Sequence, residues 1–264
     1  MNFLSSLFSG GSGRFLAAAS AGHVDVVQAA IKKDIDLEVR HSDGYTALMS
    51  AAYHGHAAIV QLLLSRGVSV HARGNRGETA LHCAVEEGHV AIAEMLLQEG
   101  KAKLDLTDNG GRTPLMIAAA LGRTEVYRLL LTFGGRDEAG LRLVLASAIG
   151  NTTDLLSCLE SGVDPNYGVT QGISPLFAAS FNGQLAAAHL LIERGADVNL
   201  RCQRGTSPIM TAAREGHRSI VQLFLDKGAD PNVKNDHGET AVSRASQEGH
   251  AEIEAILRRA GAKA

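Results

Sequence analysis

The stretch Gly77-Glu78-Thr79-Ala80-Leu81-His82-Cys83-Ala84-Val85-Glu86-Glu87-Gly88-His89 decides the fold. Thr79 offers a hydroxyl to backbone N–H groups left without partners at a helix start, so it reads as an N-cap. Outward from this stretch, its closing glycine recurs at Gly22, Gly55, Gly88, Gly122, Gly150, Gly183, Gly216 and Gly249, with spacings of 33, 33, 34, 28, 33, 33 and 33. Nine residues before it stand Thr46, Thr79, Thr113, Ser174, Ser207 or Thr240, and Pro114, Pro175 and Pro208 come next in three copies. A hydroxyl at the N-cap followed by a proline, whose missing N–H costs nothing at the first helical position, marks a helix start.

Behind each glycine lies a second apolar-periodic stretch, such as Ile59, Val60, Leu62 and Leu63 or Ile220, Val221, Leu223 and Phe224. That spacing lays one buried stripe along a helix. Gly67, Gly100, Gly195 and Gly228 close these stretches and suit a left-handed helix stop. Asp-x-Asn follows at Asp164–Asn166, Asp197–Asn199 and Asp230–Asn232, and further turns come at positions such as Asp43-Gly44. The unit is helix, tight turn, helix, hairpin-like loop, in eight copies.

Thr79-Ala80-Leu81-His82-Cys83-Ala84, Thr113-Pro114-Leu115 with Ala118, Gly55-His56 and Gly195-Ala196-Asp197-Val198-Asn199 resemble the ankyrin repeat at matching offsets. The resemblance runs over residues 13–264 and implies an all-α ankyrin-repeat solenoid of helix-turn-helix units joined by hairpin-like loops. The expected organisation is a flexible tail over 1–12 and a single domain over 13–264. Its copies are 13–40 (an N-terminal cap), 41–73, 74–107, 108–135, a degenerate 136–166, 167–200, 201–233 and 234–264 (a C-terminal cap). The Gly10–Gly13 run reads as linker, since no Gly-Lys-Ser/Thr follows to make it a phosphate loop.

Two departures from the pattern carry meaning. In the last copy Glu254 stands in the column of Val60 and Val221, and Arg258 and Arg259 follow, as a solvent-facing end requires. In the copy over 136–166 the connection is short, Asp137 is placed to cap the next helix, and Asp154 and Ser157 replace the apolar residues of the columns of Ile59 and Leu62. Leu156 could compensate by a local rotation. A weak joint or bend is expected there, opening before the rest.

Composition removes other classes. With 25 Lys+Arg against 28 Asp+Glu the formal charge is -3, which gives no field of the kind that holds a protein on nucleic acid. Cys83, Cys158 and Cys202 lack any C-x-x-C spacing, so no disulfide framework or zinc cluster follows, and a reducing, intracellular setting fits. No apolar run is long enough to span a bilayer, and Met1–Gly13 is a poor signal peptide because it lacks a basic start. His23, His56, His89, His217 and His250 follow the repeat glycine, where the resemblance implies a structural imidazole bonded to nearby loop backbone. His82 and Cys83 are adjacent on one helix and point apart, which is poor geometry for a thiolate and its base. Asn151-Thr152-Thr153 matches a glycosylation acceptor by chance. Asn199, with Leu191 upstream, resembles an asparagine that hydroxylases modify in ankyrin repeats, but reads as a hairpin brace. Arg40, Arg73, Arg201 and Lys234 form a basic column that could select an acidic partner, although Asp43, Glu78, Asp108, Asp236 and Glu239 interleave with it.

The resemblance implies a noncatalytic protein–protein interaction module, an adaptor, scaffold or inhibitor, with no metal and no cofactor. The expectation is a cytoplasmic monomer, the nucleus remaining open, that binds another protein and neither nucleic acid nor membrane directly. The alternative is a receptor for a small ligand such as a nucleotide on the same face. By the resemblance, the two positions before each repeat glycine line the concave face. Leu121, Ile149 and Phe181 then form an apolar centre with Asn182, rimmed by Glu87 and Arg214, and Tyr53 with Tyr45 forms a second contact. The short connection of the copy over 136–166 should leave that centre less shielded, unless the three apolar side chains fill the gap.

Overall fold

The computed structural model describes residues 11–136, 138–168, 172–202 and 204–263. Among them are sixteen α-helices and no strand, with one isolated antiparallel bridge between Arg40 and Thr46. They group into two compact units. The first unit runs through Ala118 and takes in Arg123–Arg136; the second has Ala119–Gly122 and the described residues from Glu138 onward.

In the first unit the helices are α1 (Gly11–Ala21), α2 (Val24–Lys32), α3 (Ala47–Tyr53), α4 (Ala57–Leu64), α5 (Ala80–Glu87), α6 (Val90–Gln98), most of α7 (Pro114–Ala120), and α8 (Thr124–Thr132). The second unit holds α9 (Ala139–Ile149), α10 (Thr152–Glu160), α11 (Pro175–Phe181), α12 (Leu185–Glu193), α13 (Pro208–Arg214), α14 (Arg218–Asp226), α15 (Ala241–Gln247) and α16 (Ala251–Arg259). Within each unit two layers form. First helices stack on first helices, as α1 on α3 on α5 and α9 on α11 on α13 on α15. Second helices stack likewise, as α2 on α4 on α6 on α8 and α10 on α12 on α14 on α16.

The local chemistry follows the repeat. Thr46 Oγ1 accepts from Met49 N at 3.3 Å, Thr113 Oγ1 from Met116 N at 3.3 Å, Ser174 Oγ from Phe177 N at 3.1 Å and Thr240 Oγ1 from Ser243 N at 3.2 Å. Ser207 departs from this: its hydroxyl is buried and makes no hydrogen bond. First helices are short and alanine-rich, and α3 is buried from Ala47 to Ala52, because small side chains let layers on both sides approach. Second helices bury one stripe, Ile59, Val60 and Leu63 in α4 and Ile220, Val221 and Phe224 in α14. Each such side chain is worth about 1.5–3 kcal/mol on full burial.

Several expectations need correction. The left-handed helix stops are Gly67, Gly195 and Gly228 as expected, but in the third copy the position falls on Lys101 (φ 55°) and not on Gly100, and in the first on Asp34 (φ 54°). Helix α1 begins at Gly11, so Gly11 to Gly13 are helical and not linker; Phe15 and Leu16, both buried, anchor that end. The part of the expected tail over residues 1–10 lies outside the described residues.

The copy over 136–166 is thin, as its sequence requires. The N-cap of α9 is Glu138, and the expected cap Asp137 lies outside the described residues. Leu155 is the one fully buried side chain of α10; Asp154 is exposed and Leu156 stays half-buried, while Cys158 and Leu159 complete the contact with the core. Tyr167 seals the end of α9: any side chain at Gly140 would run into its ring, and its hydroxyl donates to Glu138 Oε2 at 2.9 Å. In the last copy Arg258 pairs with the half-buried Glu254 at 2.5 Å, which makes the α16 face polar.

Candidate functional site

Before any side chain can be assigned to a partner, those already engaged in the stack must be counted. At five of the repeat glycines the carbonyl two residues before is bonded by the next copy. His56 Nε2 donates to Ser20 O at 2.9 Å, His89 to Tyr53 O at 3.0 Å, His217 to Phe181 O at 3.1 Å and His250 to Arg214 O at 2.9 Å. Arg123 Nε does the same for Glu86 O at 3.0 Å. The imidazoles therefore bridge consecutive copies rather than brace their own loop. They also explain the glycines: a Cβ at Gly22, Gly55, Gly183 or Gly216 would sit on the imidazole of the next copy.

One carbonyl breaks the series. In the copy over 136–166 the bridging position is Asn151, whose side chain instead caps its own helix, accepting from Asp154 N at 3.2 Å. Ala120 O is taken over by Asn182 Nδ2 at 3.2 Å, 62 residues along and two copies away. Buried backbone carbonyls seldom go unpaired, and this bond closes the account across the thin copy.

The basic column is spent the same way. Arg40 Nη1 donates to Gly44 O at 3.0 Å and Arg73 O at 2.6 Å, Arg73 Nη2 to Thr107 O at 2.6 Å, and Arg201 Nη2 to Lys234 O at 2.6 Å. Each guanidinium ties one hairpin to the next. The asparagine brace also spans copies: Asn199 Oδ1 accepts from Asp230 N at 3.1 Å, with matching bonds at Asn166 and Asn232.

The side chains left over in the first unit surround a cavity of about 560 Å³ lined by Tyr45, Tyr53, His54, Arg76, Glu78 and Asp43 among others. Tyr53 ends α3 and Tyr45 sits on the hairpin before it, so the repeat itself brings both expected residues to one opening. Arg76 Nη2 donates to Tyr45 Oη at 3.0 Å and Arg76 Nε to Glu78 Oε1 at 3.0 Å. Burial, with the neighbouring Cys83 thiol, pushes the Tyr45 hydroxyl above its ordinary range. Tyr53 meets His54 edge-on at 5.1 Å, and its hydroxyl is raised by its hydrogen bond to Glu87 and by burial. Glu87 thus joins this group. Arg76 and Glu78 were visible in the sequence only as members of a mixed-charge edge; their pairing across a loop of two residues was the available signal.

In the second unit the expected centre is differently arranged. Leu121 and Phe181 are half-buried, and Ile149 is 37% exposed. The Ile149 methyl lies over Gly122, where a Cβ would come within 3.0 Å of it, a seat that in regular copies belongs to the residue after the glycine. Asn182 is engaged with Ala120 O, and Arg214 faces Glu215 at 3.5 Å and Glu248 at 4.0 Å. Asn182 reaches across this centre to Ala120 O, and Ile149 stays exposed beside it.

Chemistry at the sulfur is closed. Cys83 is buried and its thiol is pushed up to about 12 by burial. His82 Nδ1 accepts from Thr79 N at 3.2 Å and its Nε2 donates to Arg112 O at 3.1 Å, so neither nitrogen serves the thiol. Among the described residues no three His, Cys, Asp or Glu side chains are grouped to hold a metal ion. No described helix is long and apolar enough to cross a membrane.

The family model "Ankyrin repeats (3 copies)" matches residues 11–74, 67–139, 143–235 and 176–264. Ankyrin repeat, SAM and basic leucine zipper domain-containing protein 1 is similar in two primates, at 32% identity over 93 residues in both Saimiri boliviensis boliviensis and Callithrix jacchus. The matched segment is 32% of this chain and 20% of each relative, so the chain spans about a fifth of the length of these proteins. The crystal structure of the human ASB11 ankyrin repeat domain is similar at 21% identity and a TM-score of 0.46, over 93% of this chain and 96% of that one.

Proposed function

This chain belongs to the ankyrin-repeat family, and from that premise we propose that it is a noncatalytic adaptor, scaffold or inhibitor whose protein partner docks on the face of first helices and hairpins. Ankyrin repeats are generally protein–protein interaction modules. The observation that carries the finer reading is the cavity bounded by Tyr45 and Tyr53, two amphipathic rings of the kind enriched in binding hot spots, on that face of the first unit. Leu121, Ile149, Phe181 and Asn182 form a secondary contact in the second unit, with Arg214 further along. The three cysteines form no disulfide, which accords with action in a reducing compartment such as the cytoplasm, as a monomer. A nucleotide is the weaker occupant, because Asp43 and Glu78 face the cavity against the single guanidinium of Arg76, a poor setting for phosphate.

The test is affinity capture from lysate with the full chain and with Tyr53→Ala and Ile149→Glu. Recovered protein should be lost with Tyr53→Ala and reduced with Ile149→Glu. Undiminished capture by both variants would refute docking on this face.

A further inference from the structure

Resting on that reading, we infer that the cavity of the first unit receives a cationic side chain of the partner, the guanidinium of an arginine or the ammonium of a lysine. The first argument is charge. Asp43 and Glu78 line the cavity, and Glu86 and Glu87 lie close enough to Tyr53 to act on its hydroxyl, while Arg76 is the one Lys or Arg among the lining residues. Four carboxylates against one guanidinium, with His41 and His54 counted neutral, leave this opening at -3. A cation is drawn to such a field and an anion repelled.

The second argument is independent of the first. Glu78 is only 6% exposed, and its Oε2 has no hydrogen-bond partner. Its other oxygen takes a single N–H from Arg76, whose side chain is 64% exposed and whose fork is divided between Glu78 and Tyr45. A buried carboxylate oxygen left unpaired is costly, and a charge-assisted donor would relieve that cost.

Two of the later hairpins satisfy the turn differently: Asp108 and Asn235 occupy the column of Gly74 and accept the loop amides, Asp108 Oδ1 from Gly110 N and Arg112 N, Asn235 Oδ1 from His237 N and Glu239 N. Gly74 supplies no such side chain, and a Cβ there would lie 3.2 Å from Glu78 Oε2. With glycine at 74, no side chain of that column satisfies the Glu78 oxygen. The third argument is the rings: Tyr45 and Tyr53 present faces and edges that favour a partly desolvated cation, and arginine most of all.

The experiment is an NMR titration of the full chain with the peptide Ac-Gly-Arg-Gly-NH2, with its citrulline counterpart, which keeps the shape and loses the charge, and with Ac-Gly-Glu-Gly-NH2. The arginine peptide should give saturable shifts at the amides of Tyr45, Tyr53 and Gly77. The citrulline peptide should bind about tenfold more weakly or worse, and Glu78→Gln should lower the arginine affinity by a similar factor. Glu87→Gln, which removes a rim charge while keeping a hydrogen bond to Tyr53, gives the same direction should Glu78→Gln fail to fold. A flat arginine titration, equal binding of citrulline, or tighter binding of the glutamate peptide each overturns the inference. If captured protein still depends on Tyr53 while the arginine titration is flat, the cation falls and the docking face stands; if neither responds, both fall.

Discussion

In the first unit the residues before the repeat glycine are Tyr53-His54 and Glu86-Glu87, and Tyr53 and His54 stand at the edge of an open cavity with Glu87 bonded to the Tyr53 hydroxyl. In the second unit the same positions carry Leu121, Ile149, Phe181 and Asn182, where Ile149 covers Gly122 and Asn182 bonds Ala120 O. The same columns of one repeat are therefore put to two uses. Beside the short connection the second unit uses these side chains to close its own stack, whereas in the first unit regular hairpins, tied by Arg40 and Arg73, leave a cavity open.

The comparison can be broken most directly at Leu155. As the one fully buried side chain of α10, it holds the thin copy against its neighbours, and Leu155→Ala should cost about 3 kcal/mol. Urea denaturation should show that loss, with hydrogen exchange over α9 and α10 accelerated before that over α13 and α14. A cost below about 1 kcal/mol would mean that Cys158 and Leu159 carry the contact.

Asn182→Ala should cost about 1–2 kcal/mol by leaving Ala120 O without its donor, and hydrogen exchange should rise at the α9 end. Lys101→Gly should go the other way. It relieves a left-handed backbone on a residue with a Cβ, and a gain of about 1 kcal/mol is expected in the denaturation midpoint of the first unit.

The smallest expected effect is a difference in acid sensitivity. His82 is buried in the first unit, and desolvation lowers its pKa below 6.5 despite the Arg112 carbonyl. A depressed folded-state value means that the neutral form is favoured by folding. The contribution is complete above the unfolded value of 6.5 and is lost as pH falls through the folded one. Protection of α5 should therefore decline between pH 7 and 5 more than that of α13, and His82→Gln should flatten the difference.

Much of this was legible because the repeat states it many times over. The hydroxyl caps, the prolines at the first helical position, the apolar stripe and the polar last copy are local rules, and they hold in the structure except at Ser207, whose hydroxyl caps nothing. Asn182 was not legible as a structural residue, because its partner is 62 positions away and becomes free only when Asn151 turns to cap its own helix. Lys101 was missed because the extra residue of the third copy moves the helix stop past Gly100. The arginine column was misread as surface charge; its recurrence once per copy was itself the sign of a contact made once per copy, hairpin to hairpin. The cavity needed the side chains of Tyr45, Arg76 and Glu78 placed together across a hairpin whose residue 74 is glycine.

The most direct test sets Tyr53→Ala beside Phe181→Ala, each measured for affinity toward the captured partner and for thermal midpoint. Tyr53→Ala should lose about 2 kcal/mol of affinity with little change in midpoint, while Phe181→Ala should lower the midpoint and keep most of the affinity. The opposite pattern, with Phe181→Ala abolishing binding in a fully stable protein and Tyr53→Ala binding as before, would place recognition in the second unit and contradict the account.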